Sequence, residues 1–386
     1  MYRVALAMLF RDNAKFFGII MGVSLASLVI TQQGAIFTGL MSRTFAAISD
    51  MGDPDIWVMD PKVQFIDDIK PLQDTALYRV RGVEGVAFAA PLYKGLIRAR
   101  LDNGEFQNCI VIGLDDATLT GGPPEMLQGR LEDLRRADAV IVDEIGAREK
   151  LGRPNPQAGG KPIPLKVGDT MELNDRRGVV VGISKNTRTF QSQPIIYTTY
   201  SRAKAYAPAE RKLLSFILVK ANAGDSPKAV AHRIEQATGL AAYTRDQFKA
   251  NTVMYFIRNT GIPINFGIAV TLGFVIGTVI TGFMFFSFTL DNLRYFGTLK
   301  AMGAEDVRLM GMIILQAIAV AVIGFGIGVG LASLFGRAAK HSTLAFMMPW
   351  QLLFLSGAAV LIICTLSAML SVRKVISLEP AVVFKG

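Results

Sequence analysis

Residues 259–290 read NTGIPINFGIAVTLGFVIGTVITGFMFFSFTL, 32 residues without an Asp, Glu, Lys or Arg. About 20 apolar residues, rising about 1.5 Å each, cross the hydrocarbon core of a bilayer. A buried helix of a soluble protein is too short to account for this run, which therefore reads as a transmembrane helix. Three further intervals have the same character: Phe16 to Ser42, Leu309 to Gly336 and His341 to Val372. All four exceed the minimum, so tilt or extension beyond the lipid takes up the surplus. The first is well beyond the ~7–15 apolar residues of a secretion signal. It is expected to remain as a helix that directs export of the segment after it.

Between these runs the chain changes character. Hydrophobic residues make up 51% and mean hydropathy is +0.37, too apolar for an ordinary soluble protein. Yet 19% of residues are charged, too many for a bundle lying wholly in lipid. Residues 43–258 hold 30 Lys/Arg against 26 Asp/Glu and so contribute only +4 of the net +10. The expected fold is an α-helical membrane protein of four transmembrane helices, with a large mixed α/β extracytoplasmic domain between helices 1 and 2. The expected division is a cytoplasmic N-terminus (1–15), helix 1 (16–42), the extracytoplasmic domain (43–258), helix 2 (261–290) and a cytoplasmic helix (291–308). Helix 3 (309–336), an outer loop (337–349), helix 4 (350–372) and a cytoplasmic tail (373–386) follow. Lys and Arg in the short flanks orient it: Arg3, Arg11 and Lys15 precede helix 1, Arg294, Lys300 and Arg308 follow helix 2, and Arg373, Lys374 and Lys385 lie in the tail, against Arg337 and Lys340 outside. Much of the remaining charge thus anchors spans. No basic stripe with interleaved aromatics points to nucleic acid.

Strand-like runs in the outer domain fall at Asp55–Met59, Gly85–Arg100, Asn108–Leu114, Ala139–Asp143, Gly178–Ile183, Ile195–Thr199 and Ser215–Lys220. Asp175-Arg176-Arg177-Gly178 reads as a hairpin turn. Ser226-Pro227 opens a helix that Gly239 closes. Strand 55–59, a helix near 73–81 and strand 85–100 match strand 215–220, helix 227–238 and a strand near 240–243. Paired β-α-β units imply a split ferredoxin-like core with an insertion at about 105–200, broken by the Gly/Pro-rich 152–164. Thr244 and Gln247 have capping-box spacing, and Gly261-Ile262-Pro263 offers a kink before helix 2. Two stalks are expected to join the domain to helices 1 and 2.

Catalytic chemistry finds little to rest on. Gly324-Phe325-Gly326-Ile327-Gly328-Val329-Gly330 lies inside a span and follows no strand, so its glycines read as helix-packing positions, as do Gly18 with Gly22 and Gly273 with Gly277. Gly160-Lys161 is followed by Pro162 and lacks the upstream glycine of a nucleotide loop. No cofactor is expected on this chain. Cys109 and Cys364 fall in different regions and cannot pair, and His232 and His341 are isolated, so neither a disulfide framework nor a metal site is expected. The spans carry no charge to relay an ion, so energy has to come from a partner.

The most specific signal is Asp291-Asn292-Leu293-Arg294-Tyr295-Phe296-Gly297-Thr298-Leu299-Lys300-Ala301-Met302-Gly303-Ala304-Glu305-Asp306-Val307-Arg308. Leu293, Phe296, Leu299 and Lys300 share one helical face before Gly303 ends the turn. This is either a helix that merely turns the chain or a docking helix for a cytoplasmic partner. The run FGTLKAMGAEDVRLMGMIILQAI (296–318), followed by a glycine-rich span, resembles the start of the third helix in MacB/FtsX-type ABC transporter permeases. The ending SVRKVISLEPA (371–381) resembles their basic-plus-Leu-x-Pro terminus, and QGAIF (33–37) with GVEGVAFAAPLY (82–93) resembles the DevC-like branch. Many family members carry a Glu where Phe296 stands, so contacts assigned to that acid are not carried over.

The resemblance implies a permease subunit without a fused ATPase domain, in the bacterial inner membrane. Its implied partners are a cytoplasmic ABC ATPase that binds the ATP, a second permease copy, a periplasmic adaptor protein and an outer-membrane duct. ATPase motion would be relayed to the outer domain to extrude or extract a substrate at the outer face of the membrane. Leu293, Arg294, Phe296, Lys300 and Met302 are the ATPase-contact candidates, and Gly18, Gly22, Gly324 and Gly328 the helix-packing candidates. The alternative is an FtsX-like regulatory transducer that activates a cell-wall hydrolase. The orientation is testable: alkaline phosphatase fused near Gly159 is expected to be active and near Gly303 inactive, and the opposite pattern would invert the topology.

Overall fold

The computed structural model describes residues 2–155, 160–208, 214–339 and 342–376. The chain opens with α1 (Tyr2–Arg11), α2 (Asn13–Thr44) and α3 (Ala46–Asp50), then β1 (Ile56–Met59), α4 (Thr75–Arg81), β2 (Val86–Arg100), β3 (Phe106–Leu114), β4 (Glu125–Gln128) and β5 (Ala139–Asp143). β6 (Thr170–Leu173), β7 (Arg176–Lys185), β8 (Ile195–Thr199), α5 (Tyr200–Tyr206), β9 (Phe216–Ala221), α6 (Pro227–Thr238), β10 (Ala241–Thr244) and α7 (Arg245–Asn259) follow. The chain continues through α8 (Ile262–Asp291), α9 (Leu293–Ala301), α10 (Asp306–Ala338) and α11 (Trp350–Ile376). It divides into two units, one of residues 1–40 with 261–386 and one of residues 41–260.

Among the described residues four helices are long and apolar enough to cross a membrane: Asn13–Thr44, Ile262–Asp291, Asp306–Ala338 and Trp350–Val372. They form the first unit with α1 and α9, around a cluster that includes Ile19, Val23, Phe285, Phe288, Met312, Val320 and Val360. Packing between apolar helices in lipid depends on close approach rather than on a hydrophobic driving force, and the glycines show where it happens. A Cβ on Gly328 would lie 2.8 Å from the backbone nitrogen of Leu28, and one on Gly324 would lie 2.8 Å from Cβ of Val23. α10 therefore approaches α2 along this edge, where the Ser27 hydroxyl donates to the Phe325 carbonyl at 3.3 Å. Gly18 and Gly22 face α8 instead, against the side chains of Met284 and Ile280. Gly326 meets nothing within 4 Å.

The second unit is a twisted sheet in the order β10-β1-β9-β2-β3-β8-β5-β7-β4, with β6 joined to β2 and β7. Its first four strands carry a β1-α4-β2 and a β9-α6-β10 unit, the order β10-β1-β9-β2 being that of a ferredoxin-like split β-α-β. β2 serves both halves: Val86 to Leu92 pair with β9, and Tyr93 to Arg100 pair with β3. Strand alternation assigns the faces. Ile217 and Val219 of β9 join Val58, Leu77, Val80, Val230 and Ile234 under α4 and α6. Phe216 and Leu218 face the other way, into a cluster with Trp57, Phe248, Ile110, Ile141 and Tyr197 that spans both halves of the sheet. A third cluster, around Tyr93, Val111, Val142, Ile196 and Tyr206, covers the remaining face of the inserted half.

Local chemistry sets the element ends. Ser226 and Pro227 begin α6, and Gly239 (φ +70°) ends it. Thr244 and Gln247 cap α7 reciprocally. The hairpin turn differs from the expected 175–178. It consists of Asn174 (φ +47°) and Asp175 (φ +62°), between β6 and β7, while Gly178 lies inside β7. A two-residue type I′ hairpin needs positive φ at both positions, which Asn and Asp tolerate, so the glycine was not required. Asp50, at the end of α3, accepts from Thr187 N at 2.9 Å and Thr187 Oγ1 at 2.8 Å and so pins that helix to the loop after β7. Burial pushes its carboxyl above the ordinary carboxylate value, against these donors. Burial likewise pushes the Cys109 thiol up to about 12, so it stays protonated and unreactive.

Residues 156–159 of the Gly/Pro-rich loop, His341 and the Leu-x-Pro pattern at 378–380 lie outside the described residues. The close α2–α10 contact yields a paired test. Gly328→Leu is expected to lower the thermal unfolding midpoint of the detergent-solubilised protein, by about 1–3 kcal/mol of overpacking, whereas Gly326→Leu leaves it unchanged.

Candidate functional site

The 18 residues from Asp291 to Arg308 are too few for a domain, and their chemistry dictates one short helix. Asn292 ends α8, its side-chain amide donating to the Phe288 carbonyl at 2.8 Å. α9 then runs nine residues. Gly303, at φ +90°, closes it in a Schellman arrangement: Ala304 N donates to Leu299 O and Gly303 N to Lys300 O, both at 3.0 Å. Glu305, extended, turns the chain into α10.

α9 is clamped on one side. Phe296 has 0% of its surface exposed and sits in the apolar cluster of the first unit, with Ala5, Leu9, Leu309, Met312 and Val375. Gly297 is buried beside it, and Leu293 and Leu299 pack partly buried against the same cluster. The Lys300 ammonium donates to the Ile376 carbonyl at 3.0 Å and pairs with Asp306 at 2.9 Å, which ties the end of α9 to α11 and to the start of α10. At the other end Lys15 of α2 pairs with Asp291.

The five residues expected to meet a partner differ in burial. Phe296 faces the bundle and packs there: an aromatic ring on a nine-residue helix beside apolar spans gains more by burial than by projecting into water. Lys300 is already engaged within the chain. Arg294 and Met302 are exposed, with Met302 at 71%, while Leu293 is half-buried. Tyr295, 62% exposed on the same free face, was not singled out by the sequence pattern. The helical α1 was also missed. Its signal is the apolar pair Ala5 and Leu9, one turn apart and both fully buried. A second signal is Gln316, a lone amide in the third span. Fully buried, it donates to the Ala5 carbonyl at 2.7 Å and holds α1 against α10. A polar side chain at that depth needs a partner, and α1 supplies one. Among the described residues no group of His, Cys, Asp or Glu could hold a metal ion.

The comparison with known families agrees with this division of the chain. Residues 16–237, more than half of it, match the MacB-like periplasmic core domain, and residues 267–380 match the FtsX-like permease C-terminal region. The chain belongs to the MacB/FtsX-type permease superfamily. Among relatives of this permease, an uncharacterized ABC transporter permease of Mycobacterium tuberculosis, found in two strains, is 24% identical over 318 residues, covering 82% of this chain and 80% of that one. The periplasmic region of MacB from Actinobacillus actinomycetemcomitans aligns at 17% identity over 55% of this chain and 95% of its own, with a TM-score of 0.37. The extracellular domain of the noncanonic ABC-type transporter YknZ from Gram-positive bacteria aligns at 15% identity over 50% and 99%, with a TM-score of 0.34. At these scores the two structures add no weight to the family assignment.

Burial separates the two roles on α9. Phe296→Ala in this multi-pass inner-membrane permease is expected to cost about 3–5 kcal/mol of stability, as for other buried aromatics, seen as an earlier thermal midpoint. Tyr295→Ala is expected to leave the midpoint in place.

Proposed function

We propose that this chain is the permease subunit of an ATP-driven exporter of the MacB/FtsX type, in the DevC-like branch, working with a separate cytoplasmic ABC ATPase. The observation that supports this is the state of α9: its inner face is fixed to the spans through Phe296, Lys300 and the Schellman turn, while Arg294, Tyr295, Thr298 and Met302 stay exposed. A helix that only reversed the chain would need no such clamp. A helix that receives force needs one, because displacement of its outer face reaches the spans only if the inner face cannot slip.

On this reading ATP is bound and hydrolysed by the partner. Two permease copies pair, and motion passes from α9 to α8 and α10. It continues through α2 and the 259–262 connection into the second unit, which acts on a substrate at the outer face of the inner membrane with a periplasmic adaptor and an outer-membrane duct. The resemblance of 33–37 and 82–93 to the DevC-like branch supports the adaptor-linked form. Both termini, α1 and α9 then lie in the cytoplasm, in line with the Lys/Arg bias of the flanks.

The purified permease is expected to show no ATP turnover alone and to stimulate that of its ATPase subunit in a reconstituted complex. Turnover that stays with the permease through stringent purification, and is unaffected by adding the ATPase, would sink the two-subunit reading.

A further inference from the structure

The free face of α9 is one wall of a groove. Tyr295, Thr298 and Met302 line it on one side, and Val4, Ala7 and Met8 of α1 line it on the other, enclosing a cavity of about 890 Å³. Both walls are held in place. α1 is fixed by the buried Ala5 and Leu9 and by the Gln316 amide on the Ala5 carbonyl, and α9 by Phe296 and Lys300. The groove is therefore built into the fold rather than formed between loose segments.

Its surface is mostly apolar along α1 and α9 and turns polar at one end, where Arg11, Asp12, Asn13 and Asn292 line it. α1 carries Arg3 and Arg11 and no acid, and α9 carries Arg294 and Lys300 and no acid. Asp12 lines that polar end and Asp291 follows α8, but both are engaged by Lys15: the Lys15 amide donates to Asp12 at 3.3 Å, and its ammonium lies 4.0 Å from Asp12 and pairs with Asp291. With Lys300 engaged by Asp306 and Ile376, Arg11 in the lining, and Arg3 and Arg294 on the two helices that form the walls, remain exposed.

We propose that α1 and α9 together form a two-walled seat for the ATPase subunit, taking an apolar projection flanked by carboxylates. This rests on the reading that an ABC ATPase docks on α9. It adds that the N-terminal helix, which lies before the first span, is half of the docking site. The occupant follows from the lining and the helices that carry it: a mostly apolar cleft removes apolar side chains from water, and exposed arginines on both helices select carboxylates over basic neighbours and speed encounter. Because Gln316 joins α1 to α10, a partner seated between the walls would bear on the third span at two points.

The test uses the full-length permease in nanodiscs and the ATPase subunit whose turnover it stimulates. Ala7→Trp plugs the groove from the α1 wall, and Thr298→Trp plugs it from the α9 wall. Both residues are exposed, so neither change crowds the core. Phe17→Trp, on the exposed side of α2, is the control. Each plug is expected to weaken ATPase binding by about tenfold or more, with the control unchanged. Arg11→Gln with Arg294→Gln is expected to weaken it several-fold at about 0.05 M salt, with the difference shrinking at about 0.5 M as the charges are screened.

If Thr298→Trp weakens binding and Ala7→Trp does not, the two-walled seat is wrong and docking on α9 stands. If neither plug weakens binding, both ideas fall. Plugs that leave ATPase binding intact but strip co-purified phospholipid, seen by native mass spectrometry, would assign the groove to a lipid and overturn the proposal. A salt-independent loss in the arginine variant would overturn the carboxylate flank.

Discussion

A backbone amide in hydrocarbon has no water to bond, so a segment that enters the bilayer has to close its own hydrogen bonds, and a helix does so residue by residue. That constraint governs the permease from end to end. Among the described residues the helices of the first unit are interrupted at Asp12, at Asn292, between α9 and α10, and between α10 and α11. Side-chain packing has to hold four such rods together without help from water. The glycine edge of α10 on α2 and the Phe296 cluster are two answers to this demand. One brings backbones close in the middle of the bundle, and the other fills the end with a ring.

The second unit answers a different solvent. Its sheet buries both faces, and α4, α6 and α7 supply the cover that keeps its apolar residues from water. Trp57, Phe216 and Phe248 meet with ring centroids 5.6 to 6.0 Å apart, joining β1, β9 and α7 through aromatic contacts rather than hydrogen bonds. Asp50 adds one polar tie, costly to bury and therefore specific about where α3 has to end. The two units thus rest on different physics within one chain.

Much of this was legible in the residues. Four charge-free runs can be read without any tertiary knowledge, since lipid leaves few options, and the charged stretch between them read as a separate α/β domain for the same reason. The caps at Thr244 and Gly239 are local rules, and local rules read well. What did not read was direction. Phe296 and Tyr295 are neighbours of similar chemistry, and which one points inward is decided by the position of α10 and α11, which no window of sequence contains. α1 escaped for a related reason: ten residues give a weak periodic signal, and its partner Gln316 lies more than three hundred positions away. The Asn-Asp turn was misplaced because a glycine nearby looked like the stronger signal.

The long β2 strand has a historical implication. The inserted half of the sheet leaves the ferredoxin-like half after Leu92 and returns at Phe216, and these two residues sit opposite each other on neighbouring strands. An insertion whose ends already touch costs its host little when it lengthens or is exchanged, since loop closure depends only weakly on length. Descendants of such a chain could remodel the outer lobe, and with it whatever the lobe meets, without altering the spans. The restriction is the shared apolar face: Ile110, Ile141 and Tyr197 pack in one cluster with Trp57 and Phe216. Edges and loops are free to diverge, whereas the face that meets the ferredoxin-like half has to be kept.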